Sequence, residues 1–345
     1  MFGIIFSIAL ILTIVWGVMF LRQLRSGLDN TALDDTFTWG LYVQGFFFFS
    51  ALAGGILIFM AVVTLFEIKT LASLVQTSAA VAFGCLVAAG LLLGSDLGKP
   101  LRSLKIITGG NFTSPLTWDF FTLAACAILN IIFLLGWVPM DGVLATIWSL
   151  LCLMAAVGFV MMHTLFFLSR VGSGFRSQPF LGLDTLAHSL WGGMALVTLM
   201  ALTAGMQPFY MGRLLLILTV LTAIPMVVAH IAYLSNKRKG FDQKKILAME
   251  AAIFVFLALI QLFFPKNTTL LALAAILVLL AVFMEKSHLI RQYQVKPTLP
   301  LPYSHYDKPP AYRATIGEWF LTVGGGGVCV LMSCIIIYLQ GQWMS

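Results

Sequence analysis

The chain has 345 residues, 60% of them hydrophobic and only 10% charged, with a mean hydropathy of +1.00. A water-soluble domain carries about 25% charged residues, so this chain could not cover its own surface in water; composition places it in lipid, where helices satisfy their backbone internally. The net charge of +7 comes without any basic helix interleaved with aromatic residues, so nucleic acid is not a partner, and the positive residues sit at helix ends and in loops, as membrane orientation requires.

Ten apolar runs are long enough to cross a bilayer, for which about 20 residues suffice. They fall at 3–21, 40–65, 71–95, 118–137, 143–169, 186–204, 213–235, 246–264, 268–284 and 316–339. The expectation is an all-α, polytopic transmembrane bundle forming one membrane domain over 1–345, arranged as two four-helix bundles plus flanking helices. Nothing basic precedes the first run and it lacks an obvious small-residue cleavage site, so it reads as a retained helix rather than a signal peptide.

The loops after runs two, four, six and eight are tight turns, with Pro139, Pro208 and Pro265 marking three of them. The loops after runs one, three, five, seven and nine are longer and hold 17 of the 20 Lys and Arg residues, Lys286 and Arg291 counted among them. The short side holds only Lys69, Arg213 and Lys266. One face is therefore flat and the other built up and basic, which suits a docked partner. By the positive-inside rule the long-loop face is cytoplasmic and both termini lie outside.

Polar residues inside apolar runs are costly and therefore informative. Gln44 lies one turn inside the second run, Asp96 ends the third, His188 begins the sixth, His230 ends the seventh and Glu250 begins the eighth. His163 lies about 10 Å deeper than Arg170 at 1.5 Å per residue. All of these lie toward the long-loop face, whereas the uncharged Asn130 and Gln261 do not. Near a helix end, Asp96, Glu250 and His188 can reach the interface and serve structure alone. A histidine as deep as His163 needs a hydrogen-bond partner, either as a satisfied core residue or as a ligand and proton carrier for a hydrophobic molecule arriving from lipid. Cys85, Cys126, Cys152, Cys329 and Cys334 lie singly in apolar runs with no Cys-x-x-Cys pair, which argues against metal or cluster ligation by this chain. The glycines at 324–327 permit close helix contact.

Three stretches together carry a resemblance: TWGLYVQGFFFFSALAGGILI (38–58), SDLGKPLRSLKIITGGNFTSPLTWDF (95–120) and YDKPPAYRATIGEWFLTVG (306–324). They resemble the membrane subunit of polysulfide-reductase type, the NrfD-like family, in the ten-helix form similar to hydrogenase and alternative-complex-III membrane subunits. The resemblance implies a prokaryotic inner-membrane subunit that binds a quinone, menaquinone or ubiquinone, beneath a docked ferredoxin-like iron–sulfur subunit. A catalytic subunit, often a molybdopterin enzyme, completes the complex, and no metal or haem is expected in this chain. Its only chemistry would be the quinone half-reaction, in either direction, as in anaerobic respiration.

By resemblance, a family tyrosine that contacts the quinone aligns with His163. The Asn and His that some members carry near the start of helix two fall on Val43 and Phe46, leaving Gln44 as the nearest polar substitute. The expected site is thus His163 and Asp96 for proton handling, with Gln44, Tyr42 and Trp118 as further quinone contacts. Imidazole can hydrogen-bond a quinone oxygen and titrate near neutrality, and Asp96, close to Lys99, could relay protons from the surface. Arg102, Lys105, Arg170 and Arg176 are the expected docking residues. In the best-known members the long-loop face lies outside the cytoplasm, against the charge split here; an acidic partner docked on basic loops would account for part of that split. Two rival readings are a b-type cytochrome subunit, with axial ligands drawn from His163, His188 and His230, and a secondary transporter, with Pro225 breaking the seventh helix.

Overall fold

The computed structural model describes residues 2–33, 37–98, 105, 108–109, 111–139, 141–169, 180–203, 205–235, 243–294 and 312–343. Ten long helices account for nearly all of them: α1 Phe2–Ser26, α2 Leu41–Leu65, α3 Lys69–Asp96, α4 Pro115–Leu134, α5 Gly142–Ser169, α6 Leu181–Thr203, α7 Pro208–Ser235, α8 Gln243–Phe263, α9 Thr268–Gln294 and α10 Ile316–Trp343. Each is long and apolar enough to span a membrane, and no strand occurs among the described residues.

The neighbours of each helix define two bundles. α2, α3, α4 and α5 form the first, and α6, α7, α8 and α9 the second. They join where α2 packs along α6 and α9, and α5 along α6. α10 lies against α3, with α1 outside it. Polarity is inverted relative to a soluble protein: Val143, Ile224 and Leu262 are exposed while His163, His188 and Asn130 are buried. That distribution is stable only with hydrocarbon as the outer solvent.

Small residues set the closest crossings. A Cβ on Gly193 of α6 would lie 2.6 Å from the backbone of Gly55 in α2, so these helices touch main chain to main chain. In α10 the run of four glycines divides between partners. Gly324 and Gly327 accept Trp16 and Leu12 of α1, while Gly325 meets Leu92 of α3. Short turns end α4 and α6 in the same way. Gly136 and Gly205 take positive φ (72° and 79°), and the next residue, Trp137 or Met206, donates its N–H back to Ile132 or Ala201.

Two sequence expectations change. The ninth helix does not end at 284 but runs ten residues further, to Gln294. Glu285 and Lys286 look like an interfacial flank, yet they are 3% and 1% exposed and belong to the bundle interior, so Lys286 is not a loop cation. Pro225 does not break α7, which is continuous from Pro208 to Ser235; the proline removes one N–H from the ladder, a loss that neighbouring helices tolerate in membrane proteins.

Candidate functional site

α4 begins cleanly because Ser114 is extended and Pro115 occupies the first turn, where its missing N–H costs nothing. One turn in, about 6 Å from that start, stands Asp119, 4% exposed. Facing it on α5 is His163, fully buried and about 9 Å from the end of that helix at Ser169. His163 Nε2 and Asp119 Oδ1 are 3.4 Å apart, and neither imidazole nitrogen nor Asp119 Oδ1 has a hydrogen-bond partner. Three aromatic rings enclose the imidazole: Phe47 at 4.8 Å, Phe159 at 5.0 Å and Phe46 at 5.7 Å between centroids. A buried polar pair that leaves its donors and acceptors without protein partners is costly. It can bind a small polar head and exchange a proton with it.

A cavity of about 430 Å³ opens between α4 and α5, lined by Trp118, Met162, Leu165 and Leu168 with Thr113 and Pro115. Trp118 and Leu165 are 47% and 45% exposed on the lipid-facing surface. The Trp118 indole N–H donates to the Phe112 carbonyl, which fixes the ring at the mouth. The cavity therefore opens from the hydrocarbon region between α4 and α5, on the side lined by Trp118 and Met162, the chain neighbours of Asp119 and His163.

The other expected site residues separate into different environments. Tyr42 is buried and its hydroxyl donates to Gln23 Oε1 at 3.0 Å, while the Gln23 amide donates to the Ser95 carbonyl, so Tyr42 ties α2 to α1 and α3. Asp96, half-buried at the end of α3, keeps Oδ1 without a hydrogen-bond partner at that junction. Gln44 is buried on a different side of α2 and lines a second cavity with α9 and α10. Neither His163 nor Asp119 is among the described residues that line it. Close by, Glu318 organises the start of α10. Its carboxylate accepts from the N–H groups of Thr315 (2.8 Å) and Ala32 (3.1 Å) and from the Tyr312 hydroxyl, and Thr315 Oγ1 accepts from the Glu318 N–H, a capping box. Burial and then the adjacent Glu318 carboxylate raise the pKa of Tyr312. Of the expected docking residues, Lys105 is exposed; Arg102, Arg170 and Arg176 lie outside the described residues.

The second bundle holds a charge cluster that inspection of the sequence found only in part. His188 of α6 places Nε2 2.9 Å from Glu250 Oε1 of α8, and Nδ1 2.9 Å from the Asp184 carbonyl and 3.3 Å from its carboxylate. Both nitrogens thus face oxygen acceptors, which suits an imidazolium and leaves no lone pair for a haem iron. Lys286 of α9 pairs with Glu285 at 2.9 Å, and Glu285 comes within 4.8 Å of Asp184 and His188. His230 engages the Met226 carbonyl one turn back. Asp119, Asp184, Glu285 and Lys286 were all missed because each lies within a turn or so of a run boundary, where charge is cheap. A signal existed: each lies on the long-loop side of its helix, at the level of His163 or His188.

Cys85 and Cys329 bring their sulfurs to 3.6 Å between α3 and α10 as free thiols, a contact that their isolation in sequence concealed.

Residues 29–297 match the family model described as "Polysulphide reductase, NrfD". A protein of Halobacterium salinarum (strain ATCC 700922 / JCM 11081 / NRC-1), provisionally named as a membrane subunit of dimethyl sulfoxide reductase, is 28% identical over 221 residues, covering 57% of this chain and 50% of that protein. The chain thus spans about half the length of the curated relative it matches.

Proposed function

The chain belongs to the polysulphide reductase NrfD family, and from that premise we propose that it exchanges electrons and protons between the membrane quinone pool and an iron–sulfur subunit docked on its long-loop face. The family, the relative's name and the ten spanning helices support a multi-pass membrane subunit of a reductase complex. The finer reading is supported by one observation: His163 and Asp119 form a buried polar pair with unused hydrogen-bonding capacity between α4 and α5, the two helices whose Trp118 and Met162 line a lipid-facing cavity.

The residues fit a quinone head. Unsatisfied imidazole nitrogens suit a carbonyl or hydroxyl oxygen, aromatic walls suit a flat ring, and the opening between α4 and α5 suits a long apolar tail. When bound, a quinone supplies two carbonyl oxygens that take up electrons and protons together. His163 holds and donates the proton at a ring nitrogen. Asp119 orients the imidazole and restores its proton. Phe46, Phe47 and Phe159 keep water from the pair, which strengthens each electrostatic contact. Gln44 faces elsewhere and takes no part at this site. Asp96 lies at the α1–α3 junction, where it can connect the bundle interior to the surface.

The remaining members of the complex are a ferredoxin-like iron–sulfur subunit and a catalytic subunit, by family resemblance a molybdopterin enzyme. The membrane is the prokaryotic inner membrane, with the basic long-loop face cytoplasmic and the termini outside. The test is quinone-linked turnover of the purified complex carrying His163→Ala. Activity should fall at least 100-fold with the partner subunits still bound. Unchanged turnover in the intact complex would move the site to the second bundle, near His230 and Glu250.

A further inference from the structure

The cavity that receives Gln44 has a chemistry of its own. It encloses about 270 Å³ between α2, α9 and α10, and its polar lining is Gln44, Ser287, His288, Arg291 and Tyr312, whose hydroxyl is already committed to Glu318, beside Met284 and Trp319. Gln44 and Ser287 are 1% and 7% exposed, yet Gln44 Nε2 and Ser287 Oγ have no hydrogen-bond partner. Arg291, in the last turn of α9, pairs with no carboxylate among the described residues. No Asp or Glu among the described residues lines the cavity. Among the described residues, two buried, unused groups able to donate therefore meet one cation that no lining acid neutralises. That set selects an anion with several acceptor oxygens.

The surroundings say how the anion is carried. Met284 and Trp319 at the rim are 53% and 48% exposed, and Ile316, Phe320 and Leu280 extend the same apolar surface along α9 and α10. Arg291 and Trp319 lie at helix ends on the long-loop side, where the headgroup layer meets a spanning helix. We propose that this cavity binds the phosphate of an anionic phospholipid, with Arg291 on the phosphate, Gln44 and Ser287 donating to its oxygens, and the acyl chains along α9 and α10. The lipid staples α10 to the seam between the two bundles, since Gln44 lies on α2 and Ser287 on α9.

The complex is delipidated in detergent and its unfolding temperature measured on adding phosphatidylglycerol, phosphatidylcholine, inorganic phosphate or a short-chain quinone. Phosphatidylglycerol should raise the midpoint by several degrees, whereas phosphatidylcholine and inorganic phosphate leave it unchanged. Arg291→Ala and Ser287→Ala should each lose at least half of that rise, and Arg291→Lys should keep most of it. Native mass spectrometry of wild type should retain one phosphatidylglycerol that Arg291→Ala lacks. An equal rise with phosphatidylcholine, or a full rise in both alanine variants, overturns the site. An equal rise with inorganic phosphate makes it a free-anion site, and displacement of phosphatidylglycerol by the quinone makes it a quinone site; either result overturns the lipid assignment.

Discussion

Replacing His163 by Gln and Asp119 by Asn, singly and together, separates a proton-handling pair from two independent packing residues. At their separation of 3.4 Å, two unit charges attract by roughly 5 kcal/mol at an effective dielectric of about 20. Burial opposes this with several kcal/mol for each ion. The two penalties together exceed the attraction, so the pair rests neutral, with one acidic proton between the carboxyl and the imidazole. Positioned acid–base groups contribute about 10²–10⁴ in rate, so each single substitution should lower quinone-linked turnover roughly 100-fold or more. Because the two act on one proton, the double variant should be no worse than the poorer single, as expected for groups that work as a unit. The assay is steady-state turnover of the purified complex with a short-chain quinone, checked against partner content. Losses that multiply to about 10⁴ or beyond in the double variant would refute the shared-proton reasoning.

Lys286→Met should destabilise the protein by about 3–5 kcal/mol, because it leaves Glu285 buried without the cation 2.9 Å away; a thermal melt in detergent within a degree of wild type would argue against a structural ion pair. Gly193→Ala drives a methyl to 2.6 Å from the Gly55 backbone and should cost at least about 1–3 kcal/mol as an overpacked crossing, read as an earlier melt of the assembled complex. Reporter fusions should place the C-terminus outside and the basic stretch 237–245 in the cytoplasm, as the charge split requires; a cytoplasmic C-terminus would reverse the assigned orientation.

The ten spans were legible because bilayer thickness imposes a length that hydropathy reveals directly. His163 was legible for a related reason: it lies too deep to reach water. Its partner was not, because Asp119 lies one turn from the Pro115 start of α4 and resembles an interfacial carboxylate until α5 is packed against it. The end of α9 was misplaced for the same reason, since Glu285 and Lys286 pass for a flank unless the acidic groups of α6 and α8 are known to face them. Gln44 shows a different limit. α2 is buried over 78% of its spanning window, so it has no lipid-facing stripe from which to orient the helix. Only the packing of α9 and α10 shows that Gln44 lines a cavity on that side while Phe47 packs on His163.

The central claim, that the quinone head lies beside His163 and Asp119 and enters between α4 and α5, is tested most directly by photo-crosslinking. A quinone analogue with a photoreactive tail is bound to the intact complex, irradiated, and mapped by peptide mass spectrometry. Labelling is predicted at Trp118, Met162 or Leu165, which line that opening, and excess natural quinone should abolish it. Labelling confined to α6–α9, with none on α4 or α5, would contradict the account.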